Sequence, residues 1–208
     1  GQSDMLIFGA DFRHYQKIHR DLIFAGRFAG STNIGNRKLV YYMGAVDNWI
    51  VLGDQSRFNN ETTIAQDQNY YFQTIATNMR GFIQNIRNGN SFAVINAEIR
   101  WPVVKYFMRK PIKSDFLKNF QVIGFSDVGT AWTGPSPYSE ENAFNTREIT
   151  RGSVRVILDN NKEPIVGSYG LGLRSKLLGY FVRFDYAWGV EDGIVRDPLI
   201  HFSLGMDF

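Results

Sequence analysis

The sequence predicts an all-β fold: a segment of a transmembrane β-barrel, about seven antiparallel strands long. Three observations predict it. From 180 to 190 every even position is apolar or aromatic: Tyr180, Val182, Phe184, Tyr186, Trp188 and Val190. The odd positions between them include Arg183, Asp185, Ala187 and Gly189. The pattern returns from 199 to 208, where Ile200, Phe202, Leu204, Met206 and Phe208 alternate with His201, Ser203, Gly205 and Asp207. Period-two alternation marks a strand with one apolar and one polar face. Second, nearly every other candidate strand also sets an apolar face against a charged one. Third, short and long connections alternate, as in barrels with short periplasmic turns and longer external loops.

The first strand spans 5–15, with Leu6, Phe8, Ala10 and Phe12 outward and Asp11, Arg13 and Tyr15 inward. A tight His19-Arg20-Asp21 turn leads to the second, 22–30, where Leu22, Phe24 and Phe28 oppose Arg27. A long external loop follows, about 31–90, in which 38–44 is expected to extend a strand beyond the membrane. The third strand, 91–101, turns Ala93, Ile95, Ala97, Ile99 and Trp101 outward and Asn96, Glu98 and Arg100 inward. Pro102 ends it, since proline cannot donate to a ladder. A connector, 105–118, precedes the fourth strand, 119–132, with Phe120, Val122 and Val128 outward and Gln121, Asp127 and Gly129 inward. A second external loop, about 133–166, opens on the turn signal Gly134-Pro135-Ser136-Pro137. In the fifth strand, 167–178, Tyr169, Leu171, Leu173 and Leu177 face outward, and Gly170, Gly172, Arg174 and Lys176 inward. Gly179 turns the chain into the sixth, and the seventh ends at Phe208. An odd number of strands does not close an ordinary bacterial barrel. Further strands are therefore expected upstream or on another chain. A soluble β-sandwich would also alternate, but it would not place charge on the second face of nearly every strand.

Composition narrows the function. The chain has 208 residues, 44% hydrophobic and 15% aromatic, with Gly 20 and Cys 0. Disulfides and thiolate metal sites are thereby excluded. A net charge of +3 without a dense basic stripe argues against nucleic acid. His14, His19 and His201 are scattered, with no metal-ligand spacing, and no nucleophile elbow occurs. No cofactor and no enzymatic activity are expected.

Several motifs carry a family resemblance. Met79-Arg80-Gly81-Phe82 lies in the first long loop. Asn96-Ala97-Glu98-Ile99-Arg100-Trp101-Pro102 forms the third strand, and Phe125-Ser126-Asp127-Val128-Gly129 lies in the fourth. Gly170-Leu171-Gly172-Leu173-Arg174 and Arg183-Phe184-Asp185-Tyr186-Ala187-Trp188 form a closing hairpin. In this order and before a terminal Phe, they resemble the C-terminal barrel of the BamA/TamA (bacterial surface antigen) outer-membrane superfamily. Residues 1–208 would then be the C-terminal portion of a sixteen-stranded barrel in a Gram-negative outer membrane. The resemblance implies insertion or translocation of proteins, with an Arg-Gly-Phe loop latched in the lumen. The alternatives are a membrane anchor or exporter for a fused or associated periplasmic domain, and a plugged solute channel. Implied partners are outer-membrane lipid, the upstream strands, client polypeptides and periplasmic or lipoprotein subunits.

Physical chemistry points to the same residues. Asp127 and Glu98 fall on inward faces, and a carboxylate stripped of water needs a partner. Arg80 supplies a planar, permanently charged fork. Gly81 permits a sharp backbone turn, and Phe82 can pack on the wall. The expected latch is therefore Arg80 to Asp127, with Glu98 and Gly129 nearby. Phe202, Leu204, Met206 and Phe208 mark the last strand, which would form one side of a seam.

Overall fold

The computed structural model describes residues 4–51, 56–65, 67–108, 111–151, 154–160 and 162–205. Among these, the strands are β1 (Met5–His19), β2 (Leu22–Gly35), β3 (Lys38–Met43), β4 (Trp49–Ile50), β5 (Tyr70–Ile75), β6 (Arg87–Gly89), β7 (Ser91–Trp101), β8 (Gln121–Trp132), β9 (Thr146–Arg151), β10 (Val154–Asp159), β11 (Val166–Leu177), β12 (Tyr180–Glu191), β13 (Ile194–Val195) and β14 (Leu199–Gly205). Two short helices, α1 (Val103–Phe107) and α2 (Asp115–Lys118), occupy the connector before β8.

The main sheet runs β1-β2-β7-β8-β11-β12-β14-β4, with β13 beside β12. Its seven long members are the strands expected from alternation, and each pairs antiparallel with its neighbours in the chain. Their outward faces are apolar and open: Phe12 is 68% exposed and Leu171 61%. Rings pair across that face at matched registers, Phe12 on Phe28 at 6.5 Å and Tyr169 on Trp188 at 5.6 Å. A continuous apolar face of this kind suits hydrocarbon rather than water.

Boundaries differ from expectation where hydropathy stops reporting on pairing. β1 continues to His19, because Gln16 and Lys17 still pair with Phe24 and Ile23 although their side chains are polar. β2 continues to Gly35, opposite Met5. β8 starts at Gln121, because Asn119 caps α2, itself opened by Ser114 accepting from the Leu117 N–H. Met206 and Phe208 lie outside the described residues.

The larger correction concerns 38–44. These residues do not extend a wall strand. They form β3, the centre of a separate three-stranded sheet, parallel to β5 and antiparallel to β6. Val40, Tyr41, Tyr42 and Met43 are all buried. The reason is packing. Tyr41 and Met43 join Met79, Phe82 and Ile86 against Ala29, Phe92, Val94, Ala131 and Val166, which come from the wall strands. The first long connection is thus folded back as a small hydrophobic unit against the polar side of the main sheet.

Candidate functional site

The folded-back segment delivers Arg80 to the inner face of the wall. A bridge between Ala45 and Met79 holds its base, with the Met79 N–H donating to the Ala45 carbonyl at 2.9 Å. The Ala45 N–H donates to the Phe82 carbonyl at 3.0 Å. Arg80 and Gly81 form the tip between these contacts.

Arg80 is 4% exposed and each nitrogen of its guanidinium donates a hydrogen bond. Nε donates to Asp127 Oδ2 at 2.7 Å, Nη2 to Asp127 Oδ1 at 2.6 Å, and Nη1 to Glu98 Oε1 at 2.7 Å. The Asp127 contact is the bidentate fork that arginine makes and lysine cannot. Burial works against the charged form of Arg80, but Asp127 and Glu98 outweigh it and hold its pKa above the usual arginine range. Below it, the guanidinium lies 3.7 Å from the Phe125 ring centroid.

Neighbouring groups complete the cluster. Asn96, opposite Asp127 in register, donates to Asp127 Oδ1 at 2.8 Å. Glu98 accepts from Arg174 Nη2 at 2.7 Å and from Arg100 Nε at 2.9 Å. Three guanidiniums therefore meet two carboxylates. Asp185, on the same inner face, is buried with Oδ1 unpartnered among the described residues. Beside the cluster a cavity of about 310 Å³ is lined by Arg27, Arg183 and Asp185 among others.

Glycine sets the closeness of the tip. Gly81 has φ +80, and a Cβ there would stand 2.9 Å from the Gly189 nitrogen. Reciprocally, a Cβ on Gly189 would stand 2.6 Å from Phe82 Cε1. Phe82 is 2% exposed, packed where β12 has no side chain. Met79 is completely buried.

The structure brings Met79, Arg80, Gly81, Phe82, Asp127 and Glu98 together. Gly129 has Val94, Ala93 and Met43, not the guanidinium, as its nearest neighbours. It makes room for Met43 and Val94, whose side-chain atoms would be 3.2 and 2.8 Å from a Cβ there. Phe202 is half-buried and Leu204 exposed on β14, whose outer edge meets Ile50 and Trp49.

Two participants escape a motif-based reading. His201 is fully buried and accepts the Gly81 N–H at Nε2, 3.0 Å away. Its odd, inward position in the terminal alternation is the only sequence signal for it. Arg87, also fully buried, donates to Glu191 Oε1 at 2.6 Å and to the carbonyls of Pro164 and Glu163 at 3.1 and 2.8 Å. It ties the folded-back segment to β12 and to the chain entering β11.

An antiparallel wall with an apolar outer face, and a long segment pinned by arginine to the inner face, defines a transmembrane β-barrel segment with an internal loop. The model of the Omp85 superfamily domain matches residues 1–208. The chain belongs to the Omp85 superfamily, outer-membrane proteins that insert or translocate proteins, and the match fits a C-terminal barrel of BamA/TamA type. No curated protein matches the sequence.

Proposed function

We propose that this chain is the C-terminal portion of a BamA/TamA-type barrel in a bacterial outer membrane. It inserts or translocates client polypeptides, and residues 79–82 are the tip of an internal loop latched to the wall. The supporting observation is the Arg80 fork, shared between Asp127 and Glu98 across neighbouring strands β8 and β7. One side chain thus clamps two wall strands and a loop. The connections that leave β2 and β8 then start on the external side, the first of them folding back inside, and the tight turn at Gly179 lies on the periplasmic side. β1, with every residue exposed, is the edge that an upstream strand would cover.

The test is insertion of a reporter barrel protein into proteoliposomes containing the intact protein. Arg80→Ala is expected to slow insertion at least tenfold and to open the loop to protease, with Arg80→Lys intermediate. Unchanged insertion together with a conductance increase would point instead to a plugged solute channel. Unchanged insertion, conductance and protease protection would leave an anchoring role.

A further inference from the structure

On the side read as periplasmic, β1 and β2 are joined by Arg20 and Asp21, and β11 and β12 by Leu178 and Gly179. β7 and β8 are joined there by a connector long enough to hold α1 and α2. Barrel turns on that side are ordinarily short. The extra length lies against the outside of the wall, and Ser175 reports it. This residue belongs to the outward face of β11, where Leu173 and Leu177 are exposed, yet it is itself only 3% exposed. Its cover is α2: the Ser175 hydroxyl donates to the Phe116 carbonyl at 2.6 Å. α1 is as close to the outward ring of Trp101, whose centroid is 5.9 Å from that of Tyr106 and 5.8 Å from that of Phe107.

The two helices have the make-up of a membrane boundary rather than of a solvated turn. Phe107 is 67% exposed, and Met108, Phe116 and Leu117 are exposed as well. They continue the apolar outer face past the ends of the wall strands. Beside them, Arg20, Lys105, Lys113 and Lys118 are exposed and outnumber the acids of these elements, Asp21 and Asp115. Lys105 holds Asp21 at 2.9 Å, and Arg20 lies over the Tyr106 ring, 5.2 Å from its centroid. The Tyr106 hydroxyl stands 3.2 Å from His19 Nδ1 at the end of β1. The connector is thus tied to the rim, while its apolar side chains and two of its lysines stay open. Aromatic rings, aliphatic side chains and lysines in one place match the boundary between acyl chains and headgroups. Upstream strands do not cover this place. They join the sheet at β1 and β14, whereas α1 and α2 lie against β7, β8 and β11 in its middle.

We propose that α1 and α2 form an interfacial foot that binds anionic phospholipid of the periplasmic leaflet. Phe107, Met108, Phe116 and Leu117 enter the acyl-chain boundary, and Lys113 and Lys118 hold the phosphate headgroups. A lysine near an anionic leaflet is drawn to it, and the attraction accumulates with each charge. The foot joins the ends of the same two strands, β7 and β8, that Arg80 clamps through Glu98 and Asp127. It therefore fixes the depth of the clamped strands in the membrane. This rests on reading the chain as a barrel wall, whose orientation sets the leaflet, and it adds a lipid class to that reading.

The test uses the intact protein in vesicles of phosphatidylethanolamine with about one-fifth phosphatidylglycerol, a trace of one or the other carrying a photoreactive acyl chain. Labelling of residues 103–118 is expected to be about fivefold stronger with the phosphatidylglycerol probe than with an equal amount of the phosphatidylethanolamine probe. Lys113→Gln combined with Lys118→Gln should bring the two probes within about twofold, with labelling of wall residues 167–178 and protease protection of the Arg80 loop unchanged. Equal labelling by both probes in the native protein would overturn the anionic headgroup. A preference that survives in the double variant would overturn the role of the two lysines. Labelling of 167–178 without 103–118 would overturn the foot and leave that surface to a periplasmic protein. Absence of labelling on both stretches would instead overturn the barrel reading itself.

Discussion

Two arginine–carboxylate clusters sit on the polar side of the same sheet and differ mainly in cover. In the first, Asp11 takes a bidentate contact from Arg13 and another from Arg27. Its side chains remain open to solvent, 37% for Asp11 and 49% for Arg13. In the second, Arg80 meets Asp127 and Glu98 with side-chain exposures of 5%, 0% and 10%. The hydrogen-bond lengths are alike. The surroundings are not, because the second cluster is covered by the folded-back segment that carries Arg80 itself, whose Met79 and Phe82 are buried on either side of the tip. Exposed pairs contribute little, since water screens them and competes for their donors. A buried pair tolerates no missing member, because the remaining charge has no water to return to. What separates an ornamental ion pair from a latch here is the hydrophobic unit that covers it.

Removing the buried member should therefore have the largest effect. Among the described residues, Arg80→Ala leaves Asp127 with the Asn96 amide and the residue-80 backbone N–H as donors, and is expected to cost about 3–5 kcal/mol. The check is the temperature at which the barrel loses its heat-modifiable gel mobility, with protease cleavage of the loop as a second readout. A shift no larger than for Asp11→Asn would erase the contrast between the clusters. Arg87→Ala should come next, at about 3 kcal/mol, since Glu191 keeps Arg196 as a second partner. Its signature is local: cleavage should rise near residues 133–165 while the Arg80 contacts persist. Gly81→Ala follows, at about 1–3 kcal/mol, because the new Cβ combines a left-handed backbone with the close approach to Gly189. The same assay reads it, and an unchanged melting temperature would show that the tip has room to spare.

Much of this contrast was legible in the sequence, and the limits have physical causes. Inward placement of Asp127, Glu98, Asn96, Arg100 and Arg174 followed from parity alone, because a strand cannot turn one residue without turning its neighbours. Which inward charges would be covered was not legible. Asp11 and Asp127 look alike in a list of alternating residues. The distinction depends on the folded-back segment, in which the apolar run Leu39-Val40-Tyr41-Tyr42-Met43 reads as a wall strand but packs through Tyr41 and Met43 with Met79 and Phe82. Periodicity shows that such a run is buried, not against what. His201 was readable as inward but not as a partner of Gly81, since the two are 120 positions apart and neither forms a recognised pair with the other.

The smallest predicted effect is the most discriminating. Asp11→Asn removes the carboxylate shared by Arg13 and Arg27, and by the geometry of its hydrogen bonds alone it would rank with Arg80→Ala. Because these groups are solvated, the expected cost is about 0–1 kcal/mol and should shrink further as salt is raised. The Arg80→Ala penalty should be nearly insensitive to the same change in salt, because its partners lie beyond the reach of mobile ions. Melting both variants at about 0.05 and 0.5 M salt separates the two regimes without reference to absolute stability. If Asp11→Asn proves costly and insensitive to salt, then β1 has its own cover in the membrane. The covering element would be the strand that pairs with its free edge.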